Sequence, residues 1–212
     1  MQGDYFIHAS NETTEATIHS VIVFKGPGTW KEKALWDEYV VTTKNNGLHP
    51  IEFAGAELID IEGTPQYPGT DPWSLEKLSK ENWKHYGEAG ISLTMGSLGA
   101  GLTAGTAGLF YYLGGSAAAG AALAVVPVVV VADLVYVQVK NGQNRKLVDN
   151  EFERRRLDLP IIIGPNESIR GSLFFPQVPG PLTFSMIFNV EADSIELEFD
   201  LRESLIGNLH IE

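Results

Sequence analysis

The stretch GSLGAGLTAGTAGLFYYLGGSAAAGAALAVVPVVVVADLV, Gly96 to Val135, holds a single charge, Asp133, inside an otherwise polar chain. The uncharged run around it extends from Ala89 to Ala132. A helix needs roughly 20 apolar residues to cross the hydrocarbon layer of a membrane, so the run has length for two such helices with a break at LGGS. A chain of 212 residues has too little surface elsewhere to wrap so much apolar material on all sides. Three readings compete: a phosphate-binding glycine loop, a membrane or oligomer segment, and a helical pair buried in a soluble domain.

The glycine-loop reading is the weakest. Gly99, Gly101 and Gly105 give G-x-G-x-x-x-G, one residue away from the dinucleotide fingerprint, with no following P-loop lysine and no acid for a ribose. The membrane or oligomer reading accounts for more. Small residues recur every fourth position: Ser97, Gly101 and Gly105 on one line, Ala100, Ala104 and Gly108 on the next, and Ser116, Gly120 and Ala124 in the second half. This spacing lets helix backbones approach closely where no hydrophobic effect draws helices together. Aromatic residues stand at entry (Trp83, Tyr86), tip (Tyr111, Tyr112) and exit (Tyr136), as in interfacial belts. Lys77, Lys80 and Lys84 precede the run and Lys140, Arg145 and Lys146 follow it, placed to meet anionic headgroups on one side. Arg154, Arg155 and Arg156 either extend that footprint or pair with Glu151 and Glu153 on a solvated face. Against insertion stand Ser92, Thr94, Ser97, Thr103 and Thr106, the charge of Asp133, and Pro127, which would kink a helix.

Around this block the chain reads as β structure. Residues 17–70 carry ATIHSVIVF, EYVVTTKNNGLHPIEF with a turn signal at Asn46-Gly47, and AELIDIEG; this half is expected to form a β-meander. Trp30 and Trp36 flank a Gly/Pro turn and are expected to cap the core rather than stack on a ligand. Residues 71–87 predict an amphipathic helix: Asp71 caps it, Pro72 takes the first turn, Ser74 is a helix-start residue, Gly87 ends it, and Leu75, Leu78, Trp83 and Tyr86 share a face. Residues 88–139 form the hydrophobic glycine-zipper hairpin, 140–158 a polar linker or helix end, and 159–212 return to strands; residues 1–16 are expected to be flexible. Neither β half can cover two faces alone, so both halves should build one sandwich interrupted by the helix and the Gly/Ala-rich helical hairpin.

Composition closes several functional classes. A net charge of -12 and a pI near 4.8 oppose nucleic-acid binding, which needs clustered cations. The lack of cysteine removes disulfides, thiolate metal sites and thiol nucleophiles together. His8, His19, His49, His85 and His210 never fall at metal-ligand spacing, and each reads as exposed or hydrogen-bonded. Ser74 to Lys77 spells S-x-x-K without the accompanying motifs of acyl-serine enzymes. Asp60 and Glu62 alternate as on a solvated strand face, although a hard cation would suit them. No catalytic, cofactor-binding or metal residues are therefore expected, and no cofactor.

YVVTTKNNGLHPIEFAGAELIDIEG, Tyr39 to Gly63, together with IIIGPNESIRGSLFFP, Ile161 to Pro176, resembles the immunoglobulin-like domains of bacterial envelope lipoproteins, where a V-x-V-x-N strand precedes a P-G-x-x-x-x-G-x-x-x-F-x-P strand pair; here the order is Gly164-Pro165. The small-residue block is similar to the glycine-zipper segments of some outer-membrane lipoproteins. The N-terminus MQGDYFIHASNETTEAT lacks the basic start and apolar run of a signal peptide, leaving either a protein that stays inside the cell or a processed form. The resemblance implies the second: a periplasmic, lipid-anchored mature protein of the bacterial cell envelope, on the outer membrane by preference, whose modified cysteine has been replaced. The expected function is a non-enzymatic membrane-associated anchor or assembly subunit, with membrane lipid and copies of itself or other envelope proteins as partners. The alternatives are a pore-forming effector, with Asp133 as a pH trigger, and a small-ligand carrier or enzyme with a buried helical pair.

Overall fold

The computed structural model describes residues 7–23, 35–91, 141–191 and 193–211. Nine strands and two helices follow in the order β1 (Ile7–Ser10), β2 (Thr14–Ile22), β3 (Trp36–Asn45), β4 (Ile51–Ile59), β5 (Pro65–Gln66), α1 (Pro72–Glu88), α2 (Asn141–Arg155), β6 (Ile161–Ile163), β7 (Ser168–Pro176), β8 (Thr183–Val190) and β9 (Asp193–Asp200). A short 3-10 turn, Leu205–Asn208, precedes the end of the chain. The described residues are mainly β.

The strands make two antiparallel sheets, β1-β2-β3-β7 and β5-β4-β8-β9, with β6 added to the start of β4. Each sheet mixes strands from before and after the apolar block, as expected of one sandwich built by two halves. The expected β-meander of residues 17–62 is corrected. β3 pairs with β2 and β7, whereas β4 pairs with β8 in the other sheet. Asn46-Gly47 therefore turns the chain across the sandwich and closes no hairpin. Asn45 holds this arch: its side-chain oxygen accepts from the Gly47 amide at 2.8 Å, and its amide nitrogen donates to the carbonyls of His49 and Ile163. The first sheet sets three consecutive strands side by side, where the immunoglobulin order ABED interposes the fifth beside the second.

Period-2 alternation aims Ala16, Ile18, Tyr39, Val41, Phe53, Leu58, Phe184, Met186, Phe188, Leu197 and Phe199 into one shared core. Two bulges keep that alternation in phase. The register shifts between Ile18 and Ser20, so that Val21 and Val23 return to the core side. A second shift between Phe53 and Gly55 does the same for Ala56 and Leu58. Without either extra residue the rest of the strand would present its polar set inward. Tyr39 stacks on Phe184 at 5.3 Å between ring centres and meets Phe175 edge-on at the same distance.

Residues 7–10 and 14–16, expected to be flexible, are paired in β1 and β2. His8, Ala9 and Ser10 align with Thr17, Ala16 and Glu15, and the partly buried Ile7 and Ala9 pack on the core.

Candidate functional site

Both helices that flank the apolar block lie on the outer face of the first sheet. α1 begins as its sequence dictates: Asp71, in extended conformation, accepts from the Ser74 amide at 2.7 Å, and Pro72 occupies the first turn. The helix runs past Gly87 to Glu88, and Gly90 takes the left-handed conformation behind it (φ +83°). Its inner face differs from the expected one. Leu75, Ser79, Asn82 and Tyr86, at steps of four, three and four, face the sandwich, whereas Leu78 is exposed. Only Leu75 of this stripe joins an apolar cluster, with Trp36, Val148, Phe152 and Phe174. Trp36 thus caps an outer core under the helices, as expected of it; Trp30 lies outside the described residues.

The rest of the stripe is polar. The Ser79 hydroxyl donates to the Leu35 carbonyl and accepts from the Gln177 amide at 2.8 Å. The Asn82 side chain donates to the Gln177 carbonyl at 3.2 Å. Tyr86 donates its hydroxyl to the Asp60 carboxylate, and burial followed by that hydrogen bond raises the phenol far above its ordinary pKa. Asp60 is wholly buried and also accepts from the amides of Glu62 and Thr64 at 2.9 and 2.8 Å, so it is no solvated strand residue. Beside this seam Asp37 and His210 form a buried pair at 2.8 Å, each 1% exposed, with the Gln177 amide 3.5 Å from the carboxylate and the Trp83 ring 6.4 Å from the imidazole. Asp37, His210 and Ser79 share a neighbourhood but not a relay, because Ser79 hydrogen-bonds to the backbone of Leu35 and Gln177.

Of the two alternatives for this stretch, linker or helix end, α2 is the helix, and it is packed rather than solvated on its inner side. Val148 and Phe152 are buried against Trp36 and Phe174, with Phe152 stacked on Phe174 at 4.2 Å. The Trp73 indole donates to Asp149 at 2.7 Å, and the Arg145 guanidinium lies over the same indole at 4.4 Å. Beneath α2, Glu38 is 1% exposed, accepts from Ser172 at 2.7 Å and pairs with Arg155 at 3.6 Å. Arg154 and Arg155 both engage Glu151, whose carboxyl the Arg154 hydrogen bond holds below the usual range against the effect of burial. Arg156 bridges Glu153 at 3.0 Å and Asp158 at 2.7 Å; burial opposes its charge, and the hydrogen bonds and charges of the two carboxylates together outweigh that effect and raise its pKa.

Of the expected membrane-interface residues, Tyr86 is corrected: its ring and hydroxyl are consumed inside the seam and cannot meet a headgroup layer. Trp83 is half-buried beside His210, Lys84 is exposed with Glu88 at 3.9 Å, and Arg145 is committed to Trp73. Tyr111, Tyr112, Tyr136 and Lys140 fall outside the described residues, as do the expected packing positions Ser97, Gly101, Gly105, Ala100, Ala104, Gly108, Ser116, Gly120 and Ala124, and Asp133. The histidines are hydrogen-bonded or ion-paired: His8 with Thr17, His19 with Thr42, His85 with Glu62, His210 with Asp37, and His49 3.7 Å from Glu191. Among the described residues no group of three His, Asp or Glu side chains could hold a metal ion.

The described surface also contains a cleft of about 180 Å3 at one open edge of the sandwich. Its floor is Ala54, Gly55 and Ala56 of β4 with Leu173 and Phe174 of β7. Its walls are the loop Tyr67–Thr70 and the segment Arg156, Leu157 and Leu159. Both walls are hooked to β7, through Gly69 N–H to the Phe174 carbonyl at 2.8 Å and Leu157 N–H to the Ser172 carbonyl at 2.9 Å. The sequence reading missed Asp37, His210, Ser79, Gln177 and this cleft. The signal for the seam was the polar i, i+3, i+7 pattern of Ser79, Asn82 and Tyr86, which a reading for apolar faces does not weigh. Compared with protein-family models, curated proteins and solved structures, the chain matches none.

Proposed function

We propose that the protein is a non-enzymatic, membrane-associated anchor or assembly subunit of the bacterial cell envelope, working from the periplasmic side, with the outer membrane favoured. The observation that carries this reading is the placement of the flanks. The uncharged run Ala89 to Ala132 begins at the end of α1, the described chain resumes at the start of α2 eight residues beyond Asp133, and both helices pack on the outer face of the same sheet. A sandwich of this construction can hold both ends of an apolar segment and leave its middle to a bilayer or to copies of itself. Among the described residues no helix is long and apolar enough to cross a membrane, so the reading assigns membrane contact to residues 92–140. The two-sheet architecture, rather than the strand order, supports the likeness to immunoglobulin-like envelope domains.

Flotation of the intact protein with liposomes in high salt tests the proposal. Protein that floats, and whose oligomer size falls when Gly101, Gly105 and Gly120 are replaced by leucine, supports it. Protein that stays in solution as a monomer overturns it. A second reading, a pore-forming effector, draws on Asp133 and on the buried Tyr86–Asp60 hydrogen bond that ties α1 to the sandwich. Dye release from vesicles at acidic but not neutral pH distinguishes it from an anchor.

A further inference from the structure

β4 is paired with β8 from Glu52 to Ile59 on one side, apart from the bulged Ala54. On its other side β6 covers Ile51 to Phe53 and β5 covers Leu58 and Ile59. Residues 54–57 have no neighbouring strand there among the described residues, which leaves a window about 13 Å long at 3.3 Å per residue. The cleft described above lies over this window. Its lining side chains include the apolar Leu157, Leu159, Leu173 and Phe174, together with the 61% exposed Tyr67.

Arg156, the cationic residue of the cleft, supplies the second observation. Its two terminal nitrogens are engaged by Glu153 and Asp158, so its charge is already met on both sides. Its Nε–H is buried and has no acceptor among the described residues. A donor whose charge is compensated calls for a neutral acceptor, and an anion would face the two carboxylates at close range. The acceptor that comes with a free strand edge is a peptide carbonyl.

We propose that the window over Ala54 to Glu57 is a strand-addition site for an extended, uncharged peptide segment of a partner protein, about four residues long, with small or apolar side chains. The segment pairs with the free edge of β4, offers a backbone carbonyl to the Arg156 Nε–H, and lays alternate side chains against Leu157, Leu159 and Tyr67. Main-chain hydrogen bonds supply the affinity and the shallow apolar wall the side-chain preference. The site stands apart from membrane insertion, so failure of the anchor reading leaves it intact.

The test is a two-dimensional NMR titration of the full-length protein with the capped tetrapeptide acetyl-Val-Ala-Val-Ala-amide, taken to about 10 mM because so short a strand binds weakly. The expected result is a shift of the backbone amides of residues 54–57 and of the Arg156 Nε–H. The same peptide with its central amides N-methylated, which keeps the apolar surface but loses the strand donors, is expected to bind at least tenfold more weakly. Arg156→Lys, which keeps the charge and removes the Nε–H, is expected to weaken the capped peptide several-fold. Replacing its valines by glutamate should abolish binding. Absence of any shift at these amides overturns the proposal. Equal shifts from the N-methylated peptide also overturn it, leaving only an apolar cleft. If the same amides shift with protein concentration alone, the occupant is a second copy of this chain, and the partner assignment is wrong.

Discussion

The inner core and the helix layer of this molecule hold together by different means. Between the sheets, Tyr39, Phe53, Phe175, Phe184, Phe188 and Phe199 pack in one apolar mass aligned by strand register. Under α1 and α2 a smaller apolar cluster around Trp36 and Phe152 is continued by the buried carboxylates Asp37, Glu38 and Asp60, each with named partners. An apolar interface tolerates small shifts and loses stability in proportion to contact; a polar seam holds one geometry and fails when a single partner leaves. The helix layer is therefore the part able to open as a unit while the sandwich persists.

Phe184→Ala puts the largest strain on that comparison. It removes a ring that meets Tyr39, Phe175 and Phe199, and about 3–5 kcal/mol of stability should go with it, measured by urea unfolding as one cooperative loss of both sheets. Breaking the seam should act locally. Tyr86→Phe leaves Asp60 without its hydroxyl donor and should lower protection of the α1 amides by about 1–3 kcal/mol in hydrogen exchange, with the β8 amides unchanged. Equal loss in α1 and β8 would show that the two regions open together.

A third substitution sharpens the contrast from the other direction. The Tyr39 hydroxyl is buried inside the sandwich with no hydrogen-bond partner among the described residues, and burial, then the charge of Asp37, raises its pKa well above the ordinary phenol. Tyr39→Phe should be neutral or stabilising by up to about 1 kcal/mol, opposite in sign to Tyr86→Phe. The smallest effect belongs to the surface pair His85–Glu62 at 2.7 Å. The hydrogen bond that His85 donates to the Glu62 carboxylate, and then that carboxylate's charge, raise the His85 pKa in the folded state. Its contribution is complete below the unfolded value of about 6.5 and fades as pH rises through the raised folded value. An NMR titration of the His85 ring should show the elevated midpoint, and Glu62→Gln should return it toward the ordinary value.

How much of this was legible in the sequence follows the same division. The sandwich of two halves and the start of α1 at Asp71-Pro72 could be read because alternation and caps are local signals. The arch at Asn46-Gly47 could not, since an Asn-Gly turn looks the same whether the chain returns beside itself or crosses to another sheet. The seam was hidden for a different reason. Asp37, Glu38 and Asp60 belong to residue types that are rarely buried, and the partners of the first two lie far away in sequence, His210 for Asp37 and Ser172 for Glu38. The window on β4 arises from where β5 and β6 stop, which pairing alone reveals.

The interleaving of early and late strands also sets an order of events at the ribosome. β3 finds its second neighbour only in β7, and β4 waits for β8. Neither sheet can close until residues 168–190 have emerged, so the whole uncharged run is translated before any completed domain exists to hold it. At 5–20 residues per second that interval lasts several seconds. For those seconds the nascent chain displays its most apolar segment next to unpaired strand edges, and its fate is decided by whatever membrane, chaperone or neighbouring copy arrives first.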